Sequence, residues 1–327
     1  MRKVCFVFVA VLFLAACSGD KKLFKQAQLE TSKGNFTKAI QLYSRLIKQK
    51  PEAFAAYVNR GILWERVPVK DEKERLKNRS YAEQDYLRAI ELSPNVPETY
   101  SNLGALYIDQ GRYTEAVYQL NEAIARNPHY FVALMNRAIA YHKQGRLSES
   151  VRDFNRAFKV NSTEPLLFLN RGLAYFDMGQ YLSALDDFSH LISLNPEDAR
   201  PYLERARAFI KAGYPGEAYK DLETAVSLKP TYALAYYYMG DLMFRKGETD
   251  YALGLLVRSK ELASQYVPTY DLMGDMLSVE DPVAATANYM VAKKLDPANA
   301  RKYEAKIRLM RTEEGRERVL ANRFFPR

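Results

Sequence analysis

Four asparagines stand at matched places along the chain, Asn59, Asn102, Asn136 and Asn170, separated by 43, 34 and 34 residues. A carboxamide both donates and accepts hydrogen bonds, so it can pair with a peptide group whatever the sequence of the chain that carries it. A second pattern runs beside the first. Arg60, Arg137, Arg171 and Arg205 recur at one position, and Asp85, Asp153, Asp187 and Asp221 recur at another. Where the first position holds Gln26, Leu103, Met239 or Met273, the second holds Leu42, Gln119, Leu255 or Asn288, so arginine occurs only with aspartate. The flat guanidinium fits a carboxylate, and these residues are expected to form structural ion pairs rather than catalytic acids. No HExxH, CxxC, GxSxG or phosphate-cradling loop is present. The three histidines, His129, His142 and His190, lack metal-ligand spacing. No enzyme chemistry, metal or cofactor is expected.

These residues need elements to hold them, and the chain repeats itself. Pro51, Pro94, Pro128, Ser162, Pro196, Pro230, Ser264 and Pro297 form a ladder whose commonest step is 34 residues. Twelve residues before each rung is a small residue, Ala39, Ala82, Ala116, Ser150, Ala184, Ala218, Ala252 or Ala285. A second small position holds Ala27, Gly61, Gly104, Ala138, Gly172, Ala206, Gly240 or Gly274. The one insertion and the one deletion both fall between the two small positions, which marks a turn there and a helix on either side. Aromatics surround the small residues: Tyr107, Tyr141, Tyr175 and Phe209 three places after one set, Tyr43, Tyr86, Phe154, Phe188 and Tyr289 four places after the other. Small residues let two helices approach, and the aromatics are expected to fill the core around them. Gly34, Gly111, Gly145, Gly179, Gly213 and Gly247 fall at the turns, where a helix end favours left-handed backbone.

Tyr100-Ser-Asn-Leu-Gly104, followed by Tyr107, Gly111, Tyr113, Ala116, Ala123 and Pro128, resembles the tetratricopeptide consensus. The resemblance covers roughly residues 20–299, with repeats near 20–53, 54–96, 97–130, 131–164, 165–198, 199–232, 233–266 and 267–299. It implies an all-α, right-handed superhelical solenoid of about eight helix-turn-helix repeats ending in a capping helix. It also implies that the first helices line a concave face, where Asn59, Asn102, Asn136 and Asn170 would resemble the asparagine ladder by which some members hold extended peptides. Four rungs about 8 to 10 Å apart cover roughly 30 Å, or about nine extended residues. Farther along, Arg207, Tyr237, Asp241, Phe244 and Asp275 mark a second candidate groove site. The carboxylate clamp of chaperone adaptors needs lysine where this chain has Val58, Ser101, Met135 and Leu169, so that specificity is not expected.

The ends and one insertion carry further signals. Residues 1–16 read as a signal peptide: Arg2 and Lys3, an apolar run too short for the ~20 residues of a spanning helix, then small residues. Leu14-Ala15-Ala16-Cys17 resembles the bacterial lipobox, which implies lipidation of Cys17, a tether over 17–22, and by Ser18 the outer membrane. Export disfavours nucleic acid despite the net charge of +9; envelope proteins or peptides and the membrane are the expected partners. The insertion at 67–77 reads as a charged helical extension, and 300–327, with nine basic residues against four acidic, as a capping helix with a basic tail. The function expected is an envelope scaffold or adaptor, with a constitutive subunit of an envelope complex as the alternative and a hydrolase as a remote one.

Overall fold

Large residues of one helix lie against small residues of its partner. A β-carbon at Gly274 would stand 2.4 Å from the Tyr289 ring, and one at Gly61 2.7 Å from Tyr86. No side chain tolerates that approach, so glycine is what lets these paired helices touch. The computed structural model describes residues 18–324 and, among them, 18 α-helices, one 3-10 turn and no strand. The signal segment and Cys17 lie outside the described residues. No described helix is long and apolar enough to cross a membrane.

The helices fall into two compact units. The first holds α1 (Ser18–Ser32) paired with α2 (Phe36–Gln49), α3 (Phe54–Arg66) with α4 (Glu72–Leu92), α5 (Pro97–Asp109) with α6 (Tyr113–Arg126), α7 (Phe131–Lys143) with α8 (Leu147–Val160), and then α9 (Pro165–Asp177). The second holds α10 (Tyr181–Leu194), α11 (Ala199–Ala212) with α12 (Pro215–Leu228), α13 (Ala233–Lys246) with α14 (Thr249–Leu262), α15 (Val267–Leu277) with α16 (Pro282–Leu295), and finally α17 (Ala300–Leu309) and α18 (Glu313–Phe324). Within each unit a pair packs on the next.

The turns within pairs form as the glycines require. At Gly111 the backbone is left-handed, its N–H reaches the Ile108 carbonyl at 3.0 Å, and the Arg112 N–H reaches Tyr107 at 2.8 Å. This closes the helix end and satisfies carbonyls that α5 leaves open. The eighth pair has no glycine there; the Asp281 carboxylate instead caps α16 through the Ala284 N–H at 2.9 Å.

Tyr43, Tyr86, Phe154, Phe188 and Tyr289 are all fully buried. The other aromatic set divides: Tyr107 is buried, whereas Tyr141, Tyr175 and Phe209 are half-buried, each within 6 Å of the guanidinium four residues earlier on its own helix. They cover an arginine rather than fill the core, because the guanidinium must keep polar neighbours.

Two further features depart from the regular pairs. Part of the 67–77 insertion becomes the start of α4, which has 21 residues where α6 and α8 have 14, capped by the Asp71 side chain on the Glu74 N–H at 2.8 Å. In place of a basic tail beyond Gly315, the chain makes a second helix. After α17 packs on α16, the chain turns at 310–312 and α18 runs back to α15; in the first turn of α18 a β-carbon at Gly315 would lie 2.3 Å from the Leu309 carbonyl oxygen. Val319 and Leu320 supply the apolar contacts that a solvated tail would lack.

Candidate functional site

In the first unit the first helices of successive pairs touch: α5 meets α7, and α7 meets α9. This aligns Asn102, Asn136 and Asn170, with Asn59 on α3 before them. The four amides differ in surroundings. Asn59 donates from Nδ2 to the Ala55 carbonyl at 2.7 Å, and Asn170 to the Leu166 carbonyl at 2.8 Å, each four residues back on its own helix. Asn102 and Asn136 are each 1% exposed, deeper than a side chain lying openly on a groove. Neither Nδ2 nor Oδ1 of Asn136 meets a hydrogen-bond partner among the described residues. Thr99 Oγ1 on α5 is likewise buried and without a partner among the described residues, while the Ser101 hydroxyl of α5 and the Tyr130 hydroxyl before α7 are buried beside each other. Burial, and then the charge of Glu98, raises the Tyr130 hydroxyl above its ordinary range, so it remains a neutral donor. A buried polar group left unsatisfied costs about 1 to 3 kcal/mol, and several together mark a place that water or a ligand would complete.

The arginines beneath this face are fixed by forked contacts. Arg137 Nε and Nη2 hold the Asp153 carboxylate at 2.6 and 2.8 Å. Arg60 holds Asp85 at 2.9 and 2.6 Å in the same way. In the second unit Arg205 holds Asp221 with two bonds of 2.8 Å. Burial raises the Asp85 carboxyl above the usual carboxylate range although Arg60 opposes this, whereas the bond to Asp221 raises Arg205. Arg171 stands on α9 in the first unit and Asp187 is buried on α10 in the second. Asp85, Asp153 and Asp221 all bridge the two helices of a pair.

The second candidate site gathers on α11, α13 and α15 of the second unit, and the chain's own residues already occupy it. Arg323 of α18 donates from Nη2 to Asp241 Oδ1 at 2.5 Å, while Arg245 donates to the other oxygen at 2.9 Å. Lys306 of α17 meets Asp275 at 2.5 Å and Asp271 at 2.6 Å, and the Tyr289 hydroxyl donates to Asp275 at 2.8 Å. Burial raises the Asp275 carboxyl; burial would also raise Asp271, but Lys306 and Lys302 more than offset it and hold that carboxyl below its ordinary value. Phe244 is buried against Met273, Met276 and Leu272, with Leu320 packed on the same cluster. Tyr237 packs edge-on against Tyr238 and Tyr266, and burial pushes its hydroxyl up to about 12. Arg207 pairs with Glu204 and donates to the Tyr238 hydroxyl at 3.1 Å.

The insertion creates one feature absent from the sequence reading. A cavity of about 350 Å³ opens between α3, the start of α4 and the end of α5, lined by Trp64, Glu65, Asn78, Arg79 and Asp109 among others. Burial, reinforced by Asp109, pushes the Glu65 carboxyl up to about 8 even though the Tyr86 hydroxyl donates to it at 2.6 Å. No group of three or more His, Cys, Asp or Glu among the described residues is placed to hold a metal.

With the paired helices and their spacing in view, comparison with known families is decisive. Models of the TPR repeat match residues 106–145 and 140–179, and models of the tetratricopeptide repeat match 24–66, 85–118 and 169–218, which together span more than half of the chain. The chain belongs to the tetratricopeptide repeat family. It is 29% identical over 113 residues to the human protein O-mannosyl-transferase TMTC3, covering 34% of this chain and 11% of that one. It is 30% identical over 95 residues to human tetratricopeptide repeat protein 13, covering 29% and 11%. The chain thus spans a small part of the length of these curated relatives.

Solved tetratricopeptide structures share the fold. A protein from Parabacteroides merdae aligns with a TM-score of 0.57 at 20% identity, covering 76% of this chain and 94% of that one. PilW, described as a widely conserved type IV pilus biogenesis factor, aligns with a TM-score of 0.58 at 19% identity, covering 66% and 96%. YrrB, described as having an unusual peptide-binding site, aligns with a TM-score of 0.50 at 18% identity, covering 59% and 95%.

Against the tetratricopeptide consensus, the arginine clamp has a third member. Arg60 Nη1 donates to Ser44, Arg137 to Asn121, Arg171 to Asn155 and Arg205 to Ser189, at 2.7 to 3.0 Å. Each partner lies 16 residues before its arginine, on the second helix of the preceding repeat, so the guanidinium ties one repeat to the next. The same comparison that pairs arginine with aspartate reveals this partner. Repeats without arginine have Leu87, Glu223 or Val257 at that place.

Proposed function

We propose that this chain is a non-enzymatic scaffold of the bacterial cell envelope, anchored by lipid on Cys17 in the outer membrane, that holds extended segments of other envelope proteins on the first-helix face of its first unit. Tetratricopeptide membership supports protein or peptide partners as a class. The observation that carries the finer reading is the Asn136 amide, buried between α5 and α9 on α7 with neither of its polar atoms partnered. A peptide group presents the acceptor and donor that this amide lacks. Because Asn136 lies below the surface, the flanking side chains part as the peptide enters, and exchange of the unmet hydrogen bonds for met ones favours the bound state.

The test is crosslinking of the lipidated protein in its native envelope, with captured proteins identified by mass spectrometry. Changing Asn102, Asn136 and Asn170 together to Ala, with helical folding confirmed, abolishes capture of a specific partner if the reading holds. Unchanged capture removes the amides as the site. A Cys17→Ala chain leaves the membrane fraction if the cysteine carries the anchor, and its retention there overturns the lipid assignment.

A further inference from the structure

We infer that the first-helix face of the second unit is a docking site for an amphipathic partner helix carrying an aliphatic pair followed three residues later by arginine, and that α18 is its built-in occupant. This face is separate from the amides of the first unit and does not depend on them.

The end of the stack needs one cap, and α17 supplies it. Tyr303 and Met310 are buried in the cluster of Tyr270, Ala285, Tyr289 and Ala292, with Ile307 and Leu309 packed beside them. α18 adds Val319 to that cluster and then continues past it along α15, as far as Asp241 of α13. Leu320 lies on the cluster of Phe244, Leu272, Met273 and Met276, and Arg323 reaches Asp241, 82 residues earlier in the chain. The binding face is rich in methionine, with Met243, Met273 and Met276 on α13 and α15; unbranched thioethers adapt to different apolar partners. An apolar, adaptable surface with a carboxylate at one end has the recognition elements of a helix-binding groove.

α18 is an imperfect ligand for this face. Its Arg323 guanidinium is held by Asp241 through Nη2 and lies beside the Tyr237 hydroxyl, but the buried Nε–H has no well-aligned acceptor among the described residues. Glu313, Glu314, Glu317, Arg318, Ala321 and Asn322 remain exposed, so few of its residues contribute apolar contact. A helix of 12 residues is marginal by itself in water and depends on the surface that receives it. A partner helix with the same aliphatic pair and arginine, and an acceptor for that unmet N–H, displaces it. The acidic end selects arginine, and the strap lowers the apparent affinity for every helix by the fraction of time it is closed.

The test uses the whole chain with Leu320→Asp and Arg323→Glu together, which releases α18 and leaves α17 in place. A fluorescent peptide with the wild-type sequence of residues 313–324 is titrated against wild-type and released chains by anisotropy. The released chain binds at least about tenfold tighter than wild type, because the strap no longer competes. Adding Asp241→Lys to the released chain removes that gain. Hydrogen exchange shows α13 to α16 still protected after release. Equal peptide binding by the wild-type and released chains overturns the proposal. So does loss of protection in α13 to α16, which would make α18 a structural cap. A wild-type dimer that becomes monomeric on release also overturns it, because the occupant would then be a second copy's α18.

Discussion

The first-helix faces of the two units rest on the same repeat geometry and carry different chemistry. In the first, Asn102 and Asn136 are neutral, buried amides, and Asn136 has no hydrogen-bond partner among the described residues. In the second, Asp241 and Asp275 are buried acids already matched by Arg323 and Lys306, beside a methionine-rich surface covered by Leu320. A neutral amide suits a main chain of any sequence, whereas an acid beside apolar side chains selects a basic amphipathic helix. On the proposed reading, the repeat sets where a partner lies, and the residues two before to three after the small position set what it is.

The arginine clamps lie beneath both faces, and breaking them is the largest perturbation. Arg137→Ala leaves the nearly buried Asp153 carboxylate with Arg156 alone, at 3.3 Å. The expected loss in chemical denaturation is at the lower end of the about 3 to 5 kcal/mol of an unpaired buried charge, while Arg137→Met with Asp153→Leu restores most of it. Hydrogen exchange sharpens the comparison: Arg137→Ala loosens α7 and α8, and Arg205→Ala loosens α11 and α12. If either single substitution costs nothing, the clamps are not what holds the faces.

Gly274→Ala comes next. The added methyl group meets the Tyr289 ring, which is itself bonded to Asp275, so it disturbs the acidic face from below. A loss of about 1 to 3 kcal/mol is expected in a thermal or denaturant melt. In contrast, Gly254→Ala on α14 meets nothing within 4 Å and stabilises by about 0.5 to 1 kcal/mol.

A smaller effect, reduced by solvent at a half-buried position, belongs to Glu65 in the first unit. Its folded carboxyl titrates near 8 against an ordinary 4.5, so the folded state holds the proton more tightly than the unfolded chain. Its contribution is fully present below about pH 4.5 and is lost as pH rises through about 8. Glu65→Gln flattens this decline in melts recorded across that window. An unchanged slope would show that another group causes the decline.

Much of this arrangement is legible in the sequence because it is periodic. The small positions, the turn glycines and the pairing of arginine with aspartate recur often enough to expose themselves when the repeats are compared. The third clamp residue, typified by Ser44 and Asn121, was equally visible but required comparing one repeat with its predecessor. The division of the aromatics was not visible, since Tyr141 and Phe154 look alike until a guanidinium beside one of them is placed. Nor was α18: residues 313–324 show no sustained apolar periodicity, and the Arg323 to Asp241 contact spans 82 residues with no local pattern to announce it. Burial depth is the remaining gap, because spacing places Asn136 on the inner side of α7 without saying how far below its surface the amide lies.

The most direct test of the account replaces Asn136 by Leu, of similar size but without polar atoms, and measures the melting temperature and the capture of envelope proteins in parallel. An unsatisfied amide kept for binding predicts a chain that melts at or above the wild-type temperature and no longer captures its partner. A chain that retains the full set of captured proteins would contradict it.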